Sequence, residues 1–198
     1  MSWIVFLICA YLMLAMDRGF DLLLAFDGVG PSFTLVLAAF VSLSARPAAV
    51  PWALLVLGLL QDLSQPYKLG LGADLLLIGP HCLGYLAGGF VGLQMRGLVA
   101  RNSPMSIAVA VVAVGAFVHL VAVALLTLRG LSILNIEPIV EWSAANELLR
   151  RFFVVLYTAI VAVPAGALLI RSGPLWGFAA IKRHMGRARR LYVGSERK

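Results

Sequence analysis

Charged residues are scarce in this chain of 198 residues, and acidic residues are scarcer than basic ones. Only 13% of the residues are charged, whereas 62% are hydrophobic, and the mean hydropathy is +0.97. An ordinary soluble domain carries about 25% charged residues. The apolar runs are too many and too long for a chain of this length to bury, so we expect lipid to cover most of the surface.

Cysteine is equally rare, and this excludes a small protein that is stabilised by several disulfide bonds. Cys9 and Cys82 are the only two cysteines, and both lie inside apolar runs, which argues against a disulfide framework. The N-terminal apolar run from Trp3 to Met16 has no basic region before it and no small-x-small cleavage pattern. We therefore expect this run to stay in the mature protein rather than to be removed as a signal peptide.

Long apolar runs dominate what remains and predict an all-α integral membrane protein, a six-helix transmembrane bundle. The membrane domain is expected over residues 1–175, with a basic tail over 176–198. The six spans are predicted at 2–19, 32–45, 48–64, 73–95, 104–128 and 150–171. The second and third are short for a bilayer of about 30 Å, which predicts either a thinned bilayer or helices shielded by neighbours. A five-span arrangement, with 32–64 as one bent segment, is the alternative.

The distribution of basic residues predicts the orientation of the chain. With six spans and a cytoplasmic N-terminus, eleven of the 16 lysines and arginines fall on the cytoplasmic face and five on the outer face. Basic residues accumulate on the cytoplasmic side of membrane proteins. We therefore expect a multi-pass protein of the bacterial cytoplasmic (inner) membrane with both termini in the cytoplasm.

The tail combines aromatic and basic residues. Trp176 and Phe178, of a type common at membrane interfaces, precede five basic residues: Lys182, Arg183, Arg187, Arg189 and Arg190. This pattern predicts a juxtamembrane helix held by anionic lipid, at about 1 kcal/mol per basic residue near the surface. A cytoplasmic protein with an acidic surface is the alternative partner, and no nucleic-acid-binding module accompanies the charge.

The segment from Pro51 to Gly92 carries the most informative pattern in the chain. Asp62 ends an apolar run, and a carboxylate at a helix centre in lipid costs roughly 2.5–3.5 kcal/mol. It must therefore lie at a water boundary, face the bundle interior or have a partner. Gly58, on the same helical face, allows another backbone to come close. We expect Asp62 to pair with Lys68 or to cap the following turn, and Asp62→Asn to keep much of its hydrogen bonding.

Two further features leave alternatives open. Gly84, Gly88 and Gly92 form a stripe of small residues that marks one helical face for close packing, either within the chain or against another membrane protein. The outer loop 129–147 contains apolar residues and Trp142 between acidic ones. It is either a connector resting on the membrane or an element that binds a partner.

The reactive residues do not form a catalytic pattern. The run from Gly70 to Asp74 is one residue longer than the Gly-x-Gly-Asp motif of intramembrane aspartyl proteases, and Asp74 is better explained as an acid at a helix N-terminus. His81 and Cys82 are adjacent and point to different helical faces, so we expect a histidine hydrogen-bonded inside the bundle rather than a metal ligand. His119 is the other intramembrane histidine. The sequence predicts no catalytic residue, no metal and no cofactor.

From Pro31 onwards the chain resembles the MreD family of bacterial rod-shape-determining membrane proteins. In that family an early span opens with proline and an apolar run, as at Pro31. A later span carries Gly-x-x-x-Asp and a short loop ending in Leu-Gly, as at Gly58, Asp62 and Gly70. The usual Gly-Tyr-Leu-x-Gly pattern is matched from Gly84 to Gly88, with Tyr85 as its tyrosine. The resemblance covers about residues 31–93.

This resemblance implies a non-enzymatic scaffold subunit of the cell-elongation complex, which helps control cell shape and peptidoglycan synthesis. Its partners would be the bitopic protein MreC and, directly or through it, a RodA-type transglycosylase, a class B penicillin-binding protein and the actin-like MreB. The glycine stripe and the Asp62 hairpin would contact these proteins.

The family also resembles in fold the substrate-binding subunits of energy-coupling-factor vitamin transporters. The alternative function is therefore the substrate-binding subunit of a vitamin-type transporter, which predicts a polar pocket that opens outward.

Overall fold

The computed structural model describes residues 2–19, 29–68, 74–99, 103–129 and 143–177. Six α-helices account for most of them: α1 (Trp3–Gly19), α2 (Phe33–Ser44), α3 (Val50–Ser64), α4 (Pro80–Met95), α5 (Pro104–Arg129) and α6 (Ala144–Arg171). Two 3₁₀ turns, Pro47–Ala49 and Gly173–Trp176, and a pair of two-residue antiparallel strands, β1 (Tyr67–Lys68) and β2 (Asp74–Leu75), complete the described fold. The predicted helical architecture is confirmed.

Three stretches of the described chain are long and apolar enough to cross a membrane. These are Pro47–Ser64, Pro104–Leu128 and Ala144–Arg171. The chain is therefore a membrane protein, as its composition predicted.

Helix α2 lies at the centre of the bundle, and this explains why it is short. Every residue from 33 to 43 is buried, and α2 contacts each of the other five helices. A helix enclosed by protein does not have to match the thickness of the lipid. For α2, shielding by neighbours is therefore the correct one of the two predicted explanations.

Consecutive helices run in opposite directions. Pro31 before α2 and Gln65 after α3 line the same cavity, so the backbone reverses between these two helices. The reversal lies at Arg46 and the Pro47–Ala49 turn, where proline fits a first helical turn. Residues 32–64 therefore do not form the single bent segment of the five-span alternative.

The fourth helix starts later than predicted. It begins at Pro80 rather than at residue 73, because Gly79 takes a φ of 138° that ends the preceding extended chain and Pro80 occupies the first turn. Asp74 lies in β2, opposite Lys68. The prediction that Asp74 sits at a helix N-terminus is therefore wrong.

Both ends of the described chain lie at the same end of the bundle. The Ser2 amide donates a hydrogen bond to the Trp176 carbonyl at 2.8 Å. Trp176 is fully buried, its ring meets Phe40 edge to face, and its Nε1 donates to the Ser172 hydroxyl at 2.9 Å. Trp176 therefore belongs to the bundle, which corrects its assignment to an interfacial tail.

Several predictions fall outside the part of the chain that the structure describes. They concern Gly70, most of the outer loop (130–142), Phe178 and the basic residues Lys182, Arg183, Arg187, Arg189 and Arg190.

The glycine stripe packs inside the chain. A Cβ added at Gly84 would lie 2.6 Å from the Val118 carbonyl oxygen, and one at Gly88 would lie 2.8 Å from that of Val114. At Gly92 the added atom would lie 2.3 Å from the Ser42 hydroxyl. The stripe face of α4 is therefore covered by α5 and α2, and the expectation that it docks another membrane protein is corrected.

Candidate functional site

Asp62 caps the N-terminus of α4 from the neighbouring helix α3. Its Oδ2 accepts hydrogen bonds from the amides of Gly79 (2.8 Å) and Cys82 (3.2 Å), and its Oδ1 accepts from the His81 amide (3.0 Å) and from His81 Nδ1 (2.8 Å). The first amides of a helix have no intrahelical acceptor, and the helix dipole favours a negative charge there. The carboxylate, fully excluded from solvent, is stabilised in this way.

Gly58 makes this cap possible. A Cβ at Gly58 would lie 2.5 Å from Cys82 Cα and 2.7 Å from the His81 carbonyl oxygen. Only glycine allows the start of α4 to approach α3 so closely, which confirms the predicted role of this residue. The expectation that Asp62 caps the following turn is corrected, because the amides that it accepts from belong to the start of α4.

The geometry corrects the expectation for Asp62→Asn. All four groups that meet the carboxylate are N–H donors, two at each oxygen. An asparagine has only one oxygen, and its NH₂ group would face two donors. The Asp62→Asn side chain therefore loses half of the hydrogen bonds and places its NH₂ group against two other donors.

A chain of polar contacts continues from Asp62 into α6 and α5. The Arg151 guanidinium places Nη1 3.3 Å from His81 Nε2 and 3.4 Å from His119 Nδ1. Its Nε donates to Glu147 Oε1 at 2.7 Å. His81 is thus hydrogen-bonded inside the bundle, as predicted, and four helices are joined through buried polar groups.

The contacts determine which nitrogen of each histidine carries the proton. A carboxylate only accepts, so His81 Nδ1 is the protonated nitrogen and its Nε2 accepts from Arg151. Arginine only donates, so His119 Nδ1 also accepts, and the His119 proton lies on Nε2. This Nε2–H is buried and has no hydrogen-bond partner among the described residues.

A second carboxylate repeats the arrangement in the first pair of helices. Asp17, near the end of α1, accepts from the amides of Phe33 and Thr34 at the start of α2. It also accepts from the hydroxyls of Thr34 (2.5 Å) and Ser32 (3.3 Å). The Ser32 amide in turn donates to the Thr158 hydroxyl of α6 at 2.9 Å. In both helix pairs, α1–α2 and α3–α4, a carboxylate near the end of the first helix therefore accepts hydrogen bonds from the start of the second.

These groups surround a polar cavity of about 180 Å³ at one end of the bundle. Five helices and the segment before α2 contribute to it. Its polar lining includes Asp17, Arg18, Ser32, Gln61, Gln65, His81, Tyr85, His119, Glu147, Arg150 and Arg151. His119 lies ten residues before the end of α5, which corresponds to about 15 Å along the helix axis. The cavity therefore reaches well below the helix ends.

The structure brings some of the predicted residues to this site. Tyr85 and Pro31 line the cavity, Asp62 and Gly58 support it from behind, and the glycine stripe lies deeper between helices. Asp17 and Arg151 were missed. The position of Asp17 at the end of an apolar run, like that of Asp62, is the signal that could have identified it. No group of three metal-ligating side chains occurs within the described ranges.

Comparison with known proteins adds no family assignment. No protein-family model, curated protein or solved structure matches this chain.

Proposed function

We propose that this protein is a non-enzymatic membrane scaffold of the MreD type, which binds an MreC-like bitopic protein within a complex for cell elongation and peptidoglycan synthesis. One observation carries the proposal. Three residues that resemble the family pattern, Gly58, Asp62 and Gly88, hold helices together. Their contacts are those of a structural framework.

Partners of such a scaffold have to bind its outer faces, because the stripe face of α4 is occupied. Large apolar side chains are exposed on several helices, including Tyr11 on α1, Trp52 on α3 and Phe153 on α6, which are 71%, 66% and 50% exposed. A photo-crosslinking amino acid at each of these three positions, in turn, tests which face touches an MreC-like protein. We expect one position to crosslink and the other two to serve as controls.

Complementation tests the function itself. In a rod-shaped bacterium that lacks its own MreD, expression of this chain should restore rod shape, and an MreC-like protein should co-purify with it. Cells that stay round despite normal accumulation of the protein would contradict the proposal.

The polar cavity favours a second candidate, the substrate-binding subunit of a small-molecule transporter. Its opening between helix ends fits a solute site, but about 180 Å³ is below the roughly 300–1,000 Å³ of sites for drug-sized ligands. A vitamin requirement after deletion, with cell shape unchanged, would favour the transporter over the scaffold.

A further inference from the structure

Helix α6 has two parts that are held to the bundle in different ways. The buried residues of its C-terminal part are small or apolar apart from one threonine, and they are Val155, Thr158, Ala162, Gly166 and Leu169. Val155 packs against α5 at Gly115. In the N-terminal part, residues 144–154, Arg151 is the only buried residue. This part, called the arm below, is therefore held to the bundle mainly by the Arg151 guanidinium.

The two parts of α6 meet at a point where the helix can bend. The Thr158 hydroxyl donates to the Val154 carbonyl at 2.6 Å and accepts from the Ser32 amide. A hydrogen bond from threonine to the carbonyl four residues earlier weakens a helix locally and often bends it. The arm can therefore move while the rest of α6 keeps its packing. Because the arm supplies Glu147, Arg150, Arg151 and Val154 to the cavity wall, such a movement opens the cavity.

The hold of Arg151 on the bundle depends on the protonation of two histidines. Arg151 Nη1 carries two hydrogens, and the nitrogens that meet it are His81 Nε2 at 3.3 Å and His119 Nδ1 at 3.4 Å. A neutral imidazole has one acceptor nitrogen, and uptake of a proton turns that nitrogen into a donor. A protonated ring would then place N–H against N–H and a positive charge against the guanidinium, and like charges at this distance repel.

We propose that Arg151 is an acid-sensitive latch, which releases the arm and opens the polar cavity when His81 or His119 takes up a proton. The direction follows from the charges: the latch is closed while both rings are neutral, at high pH, and opens as the pH falls. The cavity lies at the end of the bundle opposite Ser2 and Trp176, which is the outer end in the expected orientation. The latch therefore responds to the pH outside the cell. It stands independently of the scaffold proposal.

Other titratable and charged groups face the same cluster. Asp62 of α3 accepts from His81 Nδ1, and Glu147 of α6 accepts from Arg151 Nε. Helix α2 has no titratable residue in its sequence. The remaining groups of this kind on the cavity wall are Asp17, Arg18, Tyr85 and Arg150. Since carboxylates also take up protons in acid, the test has to separate Asp17 and Glu147 from the histidines.

Distances between pairs of spin labels test the movement in the purified full chain in phosphatidylcholine nanodiscs, after replacement of the two native cysteines by alanine. One pair is placed at Leu148 of the arm and Leu120 of α5, which are 41% and 51% exposed. The control pair joins Leu168, on the packed part of α6, to Val109 of α5. Histidine changes charge between about pH 8 and about pH 5. Over this range the first distance should lengthen reversibly by several ångströms, and the control distance should stay the same.

Two substitutions keep an acceptor for Arg151 but cannot take up a proton. In His81→Gln the side-chain oxygen takes the place of Nε2, and in His119→Asn it takes the place of Nδ1. The double variant should therefore keep the short distance at both pH values. Comparison of the two single variants shows which ring is the sensor, because only substitution of that ring abolishes the response.

Asp17→Asn and Glu147→Gln are the controls for the carboxylates, and both variants should respond to acid as the wild type does. The proposal is overturned if the distance between Leu148 and Leu120 is the same at both pH values in the otherwise unchanged chain, a result that does not depend on any variant being folded. It is also overturned if the double histidine variant responds as much as the wild type, or if a carboxylate variant alone loses the response.

Discussion

Single carboxylates decide how the first four helices meet. Asp17 and Asp62 each receive hydrogen bonds from four donor groups, and in both cases the donors come from the start of the following helix. The donors differ in kind. Asp62 faces only N–H groups, whereas Asp17 faces two hydroxyls, and a hydroxyl can turn to accept instead of donate.

This difference leads to a prediction about two matched substitutions. Asp62→Asn should lower the free energy of unfolding by about 3–5 kcal/mol, because it breaks a buried charge-assisted cluster. Asp17→Asn should cost only about 0.5–2 kcal/mol, similar to the loss of a helix cap, because its NH₂ can donate to the two hydroxyls. Thermal or denaturant unfolding in detergent measures both. Equal losses would show that the kind of donor has no influence here.

The sequence was informative about Asp62 and silent about Arg151 for the same physical reason. Gly58 and Asp62 lie on one helical face and act on the next helix, so local spacing carries the signal. Arg151 meets His81, which lies 70 residues away. An apolar pattern shows which residues are buried, but it does not show which distant polar groups meet in the interior.

Among the helices, the contact between α4 and α5 depends on small residues. The backbones approach closely at Gly84 and Gly88, where any side chain would meet a carbonyl oxygen of α5. The sequence predicted a face for close packing, but periodicity alone did not reveal which helix covers it.

A substitution in this contact should prevent accumulation of the protein. Gly88→Leu places a branched side chain against Val114 and Val118, and overpacking of this kind typically costs 1–3 kcal/mol or more. Gly97→Leu is the control, because nothing lies within 4 Å of an added Cβ there. We expect the first variant to be degraded and the second to accumulate normally, as judged by quantitative blotting of membranes. A Gly88→Leu protein that accumulates and stays folded would mean that α4 can move away from α5.

At the scale of the whole molecule, the two ends of the described chain pack together at the end of the bundle opposite the cavity. Trp176 fills a site between α1, α2 and the end of α6, where the Ser2 amide also binds. The sequence placed Trp176 in the tail because aromatic residues before a basic cluster are typical of an interface. Its burial depends on contacts with distant helices, which composition does not show.

Trp176→Ala should therefore destabilise the fold by about 3–5 kcal/mol, the usual cost of removing a buried large aromatic side chain. Leu175→Ala is the matched control, because Leu175 is 69% exposed and should change the unfolding temperature little. Similar behaviour of the two variants would contradict the role given to Trp176.

The orientation in the membrane gives the fourth prediction. Because basic residues are expected on the cytoplasmic side, a reporter fused after Lys198 should be active only as a cytoplasmic reporter. One inserted near Asn135 should be accessible from outside. Because Ser2 and Trp176 lie close together, a reporter at the N-terminus should report the same side of the membrane as the one at the C-terminus. Opposite results at the two termini would rule out this arrangement.

The buried position of Arg151 has a consequence for how the chain is made. Arg151 is the eighth of 28 residues in α6, and an arginine that faces lipid is costly, up to roughly 2.5–3.5 kcal/mol at a helix centre on insertion scales. Its partners His81 and His119 belong to helices that leave the ribosome earlier. We therefore expect the acceptors for its guanidinium to be synthesised before the guanidinium itself. We expect contact with His81 and His119 to lower the cost of burying Arg151, which would make docking of α6 on α4 and α5 a condition for its stable insertion.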